Sequence, residues 1–470
     1  MSRPSPSHPG ARPAESRPVE VLHVTHQYAP ETRGGVESHV RELVAAQRAA
    51  GIDAQVLTGS FAPWPAVGLE RLEVDGVPVT RVHRDDLYFD LHSKAWHPGV
   101  EELVARELAK HLPRVVHVHH WIRLTSNLVE IALRTPAAVV VTLHDHWSSC
   151  PRAFRVRADE DACLRPLGVA SCIDCVPRFG HEPREELALG IELFHEQMRA
   201  ELLMAHAVLV GVDSTADRLA TAIGLPRGVF RTLPLGHAPR FAGLPRLSPP
   251  REDERVRFAF WGGVARHKGV TVLLDAFGKL CAAHPGRAEL HVLGAIETTE
   301  LEAELRRLAA DLPVQFHGSF DAAQLHAVAP HAGVFPSTCL ETWGLVLDEC
   351  FELGLPCVVS DLGALPERVA EGGLIARAGD AADLAARLAE LLDPAVRRRL
   401  HDRRPGPAPD FAHYKAQLDW IYEQAQALAV DQREGRAPRG NPVPATRRAQ
   451  LLLRQRESAL ARIIGKDGPR

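Results

Sequence analysis

Short, continuously apolar runs alternate with stretches of helical period along most of this chain. The first set of runs is Val19 to Thr25, Ala54 to Thr58, Val77 to Val82, Val115 to His119, Ala137 to Leu143 and Val208 to Gly211. A helix begins at about Val36, with Val40, Leu43, Val44 and Gln47 along one face. Runs that are apolar throughout, with helical patterns between them, predict a parallel sheet covered on both faces. Near Leu235-Gly236 the pattern breaks into a Pro/Gly/Arg-rich stretch that ends at about Arg255, which predicts a domain boundary. The alternation then restarts. Strands are predicted at Arg257 to Phe260, Glu289 to Leu293, Val314 to His317, Ala332 to Phe335, Cys357 to Ser360 and Leu374-Ile375, with helices over 271–281, 299–310, 344–353 and 381–392.

The predicted fold class is therefore α/β, as two Rossmann-like doubly wound domains facing a central cleft. Ligands in such sheets bind outside the carboxyl ends of the strands, so the cleft is the expected site. The divisions that follow are a disordered leader over 1–18, a first domain over 19–235, a linker over 236–255 and a second domain over 256–405. A helix over 411–430 is expected to pack back on one of the domains, ahead of a basic tail over 431–470. That tail holds ten Lys/Arg against four Asp/Glu and the segment LLLRQRESALARII. It suits either an anionic membrane surface or a solvated, fraying terminus.

Composition narrows the classes. Of 470 residues, 45% are apolar and 24% charged, and the formal net charge is −4, so no basic excess points to nucleic acid. No apolar run reaches the length of a membrane span, and the leader has no apolar signal core. A cytoplasmic location is expected, with the inner membrane face as an alternative through the basic tail. In such a reducing interior the eight cysteines are read as thiols or metal ligands rather than disulfides.

The most informative segment is ETWGLVLDE, in which Glu341 and Glu349 flank the start of a helix that Gly344 opens and Gly354 and Pro356 close. Unpartnered N–H groups at a helix N-terminus attract anions, so the place suits a phosphate. Two carboxylates beside it make sense as acceptors for hydroxyl groups on either side of that phosphate, or as charge complementing the helix dipole. The second domain opens with FAFWGGVARHKGV. Gly262-Gly263 allow close backbone approach to a diphosphate, and Lys268 supplies a compact positive charge. The spacing is not that of a Walker loop. In the first domain Gly34-Gly35 lie on the loop after the first strand, as a tight turn or a ligand contact. VVVTLHDHW ends a buried strand with His144, placed to face the cleft, where a neutral imidazole can exchange hydrogen bonds with a sugar hydroxyl. His117, His119 and His120 are read as packing or supporting groups.

Taken together, GGVESHV, VVHVHHW, TLHDHW, GGVARHKGV and FPS…ETWGLVLDECFELGLPCVVSDLGALPE resemble the retaining glycosyltransferases of glycosyltransferase family 4, which have the GT-B fold. The resemblance runs over roughly residues 20 to 400. It implies a C-terminal domain that holds a nucleotide-sugar donor and an N-terminal domain that mainly holds the acceptor, a glycan or a lipid-linked molecule. By position, Glu341 would bond the donor sugar's hydroxyls, Glu349 the ribose hydroxyls and Lys268 the diphosphate. His144 would contact the transferring sugar or assist at the reaction centre, and Gly34 and Gly35 would let their loop approach the phosphates. Thr342, Gly344 and Leu345 fall in the same donor-binding segment. The family usually has an arginine where this chain has Gly263, so Arg266 is the candidate to reach the diphosphate instead. No catalytic metal is required.

A cysteine-rich insert over about 147–183 interrupts the first domain. Cys150, Cys163, Cys172 and Cys175 lie within 26 residues, and Cys172-x-x-Cys175 has the spacing of half a structural zinc site. Tetrathiolate zinc and free thiols are both compatible with it, and an iron–sulfur cluster or disulfides less so. Two other functions remain open. One is a nucleotide-sugar 2-epimerase of the same fold, and the other is a non-catalytic nucleotide-sugar-binding scaffold. A Rossmann dehydrogenase is disfavoured because no glycine fingerprint follows either opening strand.

Overall fold

The apolar runs that the sequence marks as strands all become strands. The computed structural model describes residues 19–463 apart from 33, 63, 87–91, 179–181, 246 and 248–253. The expected leader over 1–18 and the end of the tail lie outside the described residues.

The first sheet consists of β1 (Val21–Thr25), β2 (Ala54–Thr58), β3 (Gly68–Val74), β4 (Val77–His83), β5 (Val115–Val118), β6 (Ala138–Thr142), β7 (Ala207–Val210) and β8 (Phe230–Thr232). Their order is β3-β4-β2-β1-β5-β6-β7-β8, and every pairing is parallel except β3 with β4. The second sheet holds β9 (Val256–Trp261), β10 (Ala288–Leu293), β11 (Val314–Gly318), β12 (Ala332–Phe335), β13 (Cys357–Ser360) and β14 (Gly373–Ala376). It is parallel throughout, in the order β11-β10-β9-β12-β13-β14.

Strand order reverses beside β1 in the first sheet and beside β9 in the second, which marks the crevices where open α/β sheets bind ligands. The loops after β1, β6, β9 and β12 carry Gly34-Gly35, His144, Lys268 and Glu341 respectively. All four therefore leave their sheets at carboxyl ends, at or next to these crevices.

Two parts of the pattern differ from expectation. β3 is an additional strand, whose LERLEV segment is half-exposed and polar at alternate positions, as suits the edge of a sheet. The Asp75-Gly76 turn joins it to β4 with φ of 51° and 75°, the left-handed pair that a two-residue hairpin needs. The basic tail is the second difference. Its helix Ala445–Ile463 does not fray but lies on the first domain, where Arg448 pairs with Glu130 at 2.7 Å and Arg447 with Glu196 at 2.8 Å. Those cations are thus neutralised by the protein itself, not left free for an anionic membrane.

The helix Phe411–Arg433 crosses from the second half back to the first. It buries Tyr414, Leu418, Ile421, Tyr422, Ala425 and Ala429 against Val40, Leu43, Val44, Val56, Val115 and Val140. Side chains such as Leu418 and Ile421 each contribute about 1.5–3 kcal/mol when withdrawn from water. The crossing therefore fastens the chain's end to the first sheet.

Candidate active site

Lys268 and Glu341 meet where the loops after β9 and β12 come together. Gly269, with φ of 74°, lets the first loop run against the second: a Cβ there would sit 1.9 Å from the carbonyl oxygen of Pro336. Thr338 N–H also donates to His267 O at 2.9 Å. Lys268 Nζ is consequently held 2.6 Å from Glu341 Oε1, which also accepts from Ser337 Oγ at 2.9 Å. Burial opposes charge on Glu341, but the Lys268 ammonium and the Ser337 hydroxyl outweigh it and hold the carboxyl below its ordinary range. Lys268 is likewise kept charged, because Glu341 more than offsets its own burial. The side chains are 30% and 17% exposed, so the pair remains open to a ligand.

Glu349 sits in the second turn of the helix Leu345–Glu352. Its Oε2 accepts from the Trp261 indole at 2.7 Å and its Oε1 from the Arg240 guanidinium. Both oxygens thus have protein donors, of which Arg240 is half-exposed. The helix starts at Gly344, φ 80°, without a side-chain cap, which leaves its first N–H groups free of one. Gly35 faces that start, since a Cβ on it would lie 3.2 Å from Leu345 Cδ1. Gly34, on the same loop, lies against the Glu37 carboxylate, which a Cβ there would have to push aside.

Arg266 does not turn toward Lys268. Its guanidinium pairs with Glu304 and, at 3.4 Å, with Glu160 of the cysteine-rich insert. A Cβ added at Gly263 meets nothing within 4 Å, so no crowding explains why glycine stands there.

The segment after Glu341 binds the first domain to the second. Thr342 Oγ1 donates to the main-chain oxygen of His144, and Thr342 O accepts from Thr215 Oγ1 at 3.2 Å. The Trp343 ring covers Gly211, where any side chain would collide with it. Trp343 is fixed in turn by Asp348, which accepts from its indole at 2.9 Å, and by Arg368, stacked 3.5 Å from the ring centroid. Asp348 and Arg368 are a buried ion pair, at 2.6 Å. Replacing Asp348 by alanine strands the Arg368 charge, which costs about 3–5 kcal/mol. The expected result is a clearly lower urea midpoint, and an unchanged midpoint would show that this pair does not brace the loop.

His144 lies two residues beyond β6 and is partly exposed. Burial lowers its pKa to about 4, against a smaller opposing effect from Asp145, so the ring is neutral at pH 7. Asp145 itself pairs with His120 at 3.1 Å.

The insert orders itself without drawing its thiols together. Among the described residues, the group of three or more His, Cys, Asp or Glu whose ligand atoms all lie within 4.8 Å of one another is His23, His117 and His119, and no such group includes Cys150, Cys163, Cys172 or Cys175. All four cysteines are free. Arg155 is 1% exposed. Its guanidinium donates to the carbonyls of Ser149, Cys163 and Arg165. A buried cation satisfied by main-chain carbonyls thus holds the loops of the insert together, and this arrangement adds no support for zinc at the four thiols. The insert also reaches the second sheet's loops: Phe154 stacks on His267, with ring centroids 4.4 Å apart and 15° between planes.

Two family models match the chain, "Glycosyltransferase Family 4" over residues 33–239 and "Glycosyl transferases group 1" over residues 255–394. This is a glycosyltransferase of the family 4 type. Among its relatives is a glycogen synthase of Mycobacterium tuberculosis, 26% identical over 91% of this chain and 97% of that protein. Another is a phosphatidyl-myo-inositol mannosyltransferase of Mycobacterium leprae, 27% identical over 84% of this chain and 94% of the relative. Of solved structures, Anabaena HepE in complex with UDP and glucose superposes with a TM-score of 0.56 at 15% identity, over 86% of this chain and 99% of that one. The fold is GT-B, as expected from the alternating pattern and the family resemblance.

Several partners of Glu341 and Glu349 were not singled out by the motifs. Ser337 stands in the FPS segment and Trp261 directly before Gly262-Gly263, so both were within reach of the same patterns. Arg240 was not, because it comes from the linker and meets Glu349 only through folding.

Proposed function

We propose that this chain transfers a sugar from a nucleoside-diphosphate sugar to a hydroxyl acceptor, with retention at the anomeric carbon. The observation that carries the proposal is the Lys268–Glu341 pair, set beside His144 by the Thr342 contact. A cation and a carboxylate bonded to each other can exchange partners when a ligand brings both an anion and hydroxyl groups. Lys268 then turns to the diphosphate, and Glu341 accepts from hydroxyls of the donor sugar. The Leu345 helix N-terminus, facing Gly35, adds N–H donors for the phosphates. Glu349 holds the ribose by exchanging Arg240 for its hydroxyls.

In the reaction the anomeric carbon–oxygen bond to the diphosphate breaks as negative charge gathers on the departing oxygen. Lys268 and the helix N-terminus stabilise that charge, which is where electrostatic catalysis has the most to contribute. The acceptor oxygen bonds to the anomeric carbon from the same face, and its proton passes to the departing phosphate oxygen. Neutral His144 holds the transferring sugar. No step requires a metal. The acceptor is a glycan or a lipid-linked molecule, in polysaccharide or glycolipid synthesis, in keeping with the acceptors named for the relatives.

A thermal-shift screen of nucleotide sugars identifies the donor, because a ligand at one hundred times its Kd stabilises the native state by about 2.7 kcal/mol. With that donor and an acceptor panel, the expected product keeps the donor's anomeric configuration by proton NMR. An inverted linkage would refute retention, and a C2 epimer formed from donor alone would make the protein an epimerase.

A further inference from the structure

Behind His144 runs a line of buried side chains that the reaction does not use. His144 Nε2 lies 2.9 Å from His119 Nδ1, His119 Nε2 lies 3.0 Å from His23 Nδ1, and His23 Nε2 lies 2.7 Å from Gln47 Oε1. His23, His119 and Gln47 are at most 1% exposed. Burial is the largest influence on all three rings and pushes each below its ordinary pKa, so each is neutral. A neutral imidazole has one N–H and one lone pair, so in such a line every link must point the same way.

Gln47 fixes the direction. Its amide oxygen can only accept, so His23 carries its proton on Nε2 and receives at Nδ1. His119 then carries its proton on Nε2 and receives at Nδ1 from His144 Nε2–H. What remains on His144 is the Nδ1 lone pair, to which no group among the described residues donates. Turning the Gln47 amide over would reverse every link and leave His144 offering Nδ1–H. We propose that Gln47, acting through His23 and His119, is the positioning residue that makes His144 a hydrogen-bond acceptor at Nδ1. Such an atom receives a hydrogen bond from a sugar hydroxyl and repels a phosphate oxygen, so His144 contacts the carbohydrate part of the donor.

Neighbouring groups leave the line intact. His117 spends its two nitrogens on Tyr422 Oη and Thr142 Oγ1, both at 2.7 Å. His39, with its ring centroid 5.0 Å from that of His144, makes no hydrogen bond to it, and Tyr414 packs edge-on against His39. His23, His117 and His119 have ligand atoms within 4.8 Å of one another, yet all six ring nitrogens already have partners, so the group is a hydrogen-bond chain and not a metal centre.

The role given to His144 rests on the proposed transfer reaction, whereas its tautomer does not, and the test reads the tautomer alone. The full chain is labelled with 15N-histidine and examined at pH 7.5 by two-bond 15N–1H correlation, without nucleotide or sugar. Signals of His144 are assigned by their loss in His144→Gln. The expected wild-type state is a single tautomer protonated on Nε2. In Gln47→Leu, which removes the terminal acceptor, His144 becomes a mixture of tautomers. A wild-type His144 protonated on Nδ1 would overturn the proposal, as would an unchanged single tautomer in folded Gln47→Leu. Should Gln47→Leu not fold, the wild-type spectrum decides alone.

Discussion

Lys268→Ala is expected to lower kcat for sugar transfer by about 100- to 1,000-fold, the usual effect of removing one group that stabilises charge developing in the transition state. The loss falls on turnover because the ammonium matters most as the diphosphate departs. Glu341→Ala is expected to be similarly damaging for a different reason: the sugar loses its acceptor, and Lys268 loses the partner that keeps it charged and in place. Since each replacement also strands a partly buried charge, the thermal midpoint of each variant must be measured beside the rate. Loss of activity in a protein that still melts cooperatively supports the assignment. Near-wild-type transfer by either variant would remove the pair from the reaction.

The second large effect concerns pH. Burial, the dominant cause in each case, pushes His23, His92 and His144 down to about 4 and His146 to about 3, whereas an unfolded imidazole titrates near 6.5. Between these values the unfolded chain binds more protons than the folded one, so stability is complete above about 6.5 and falls as pH drops toward 4. Each ring contributes a slope of up to about 1.4 kcal/mol per pH unit, and the four together on the order of 5. Glu201, raised to about 8 by burial, acts in the opposite direction, gaining stability as pH falls from 8 toward 4.5, with the slope of a single group. A net stability of about 5–15 kcal/mol would therefore be exhausted within one to three pH units below 6.5. Urea midpoints followed by circular dichroism should fall steeply between pH 6.5 and 5. A flat profile over that interval would mean that these histidines are hydrated or already protonated in the native state.

Much of the fold could be read from the chain because a buried parallel strand has only one pattern. Ala54–Thr58, Ala332–Phe335 and Cys357–Ser360 come out at their expected bounds, since each is apolar on both faces and ends in Gly, Pro, Ser or Asp. The edge strand Gly68–Val74 did not, because one of its faces meets water and its charges hide the period. The Asp75-Gly76 dipeptide was the signal that could have revealed it.

At the site, the motifs located Lys268, Glu341, Glu349 and His144 at strand ends, but they could not give the partners. That Lys268 binds Glu341, that Arg266 turns to Glu304 and Glu160, and that Arg240 reaches Glu349 all depend on loops distant in sequence. The cysteine spacing suggested a metal because four thiols lay close in the chain. Arg155, which lies between Cys150 and Cys163 and belongs to no motif, could not be seen as the group that gathers the carbonyls of Ser149, Cys163 and Arg165. The tail was misjudged for the same reason: the acidic partners of Arg447 and Arg448, Glu196 and Glu130, lie some 250 to 320 residues earlier.

The central claim is that the second domain holds a nucleoside diphosphate through Lys268. It is tested most directly by calorimetric titration of nucleoside diphosphates into the wild type and Lys268→Ala. The expected result is saturable binding of one diphosphate by the wild type and at least tenfold weaker binding by the variant, with the corresponding nucleoside bound alike by both. Equal diphosphate affinities in the two proteins would contradict it.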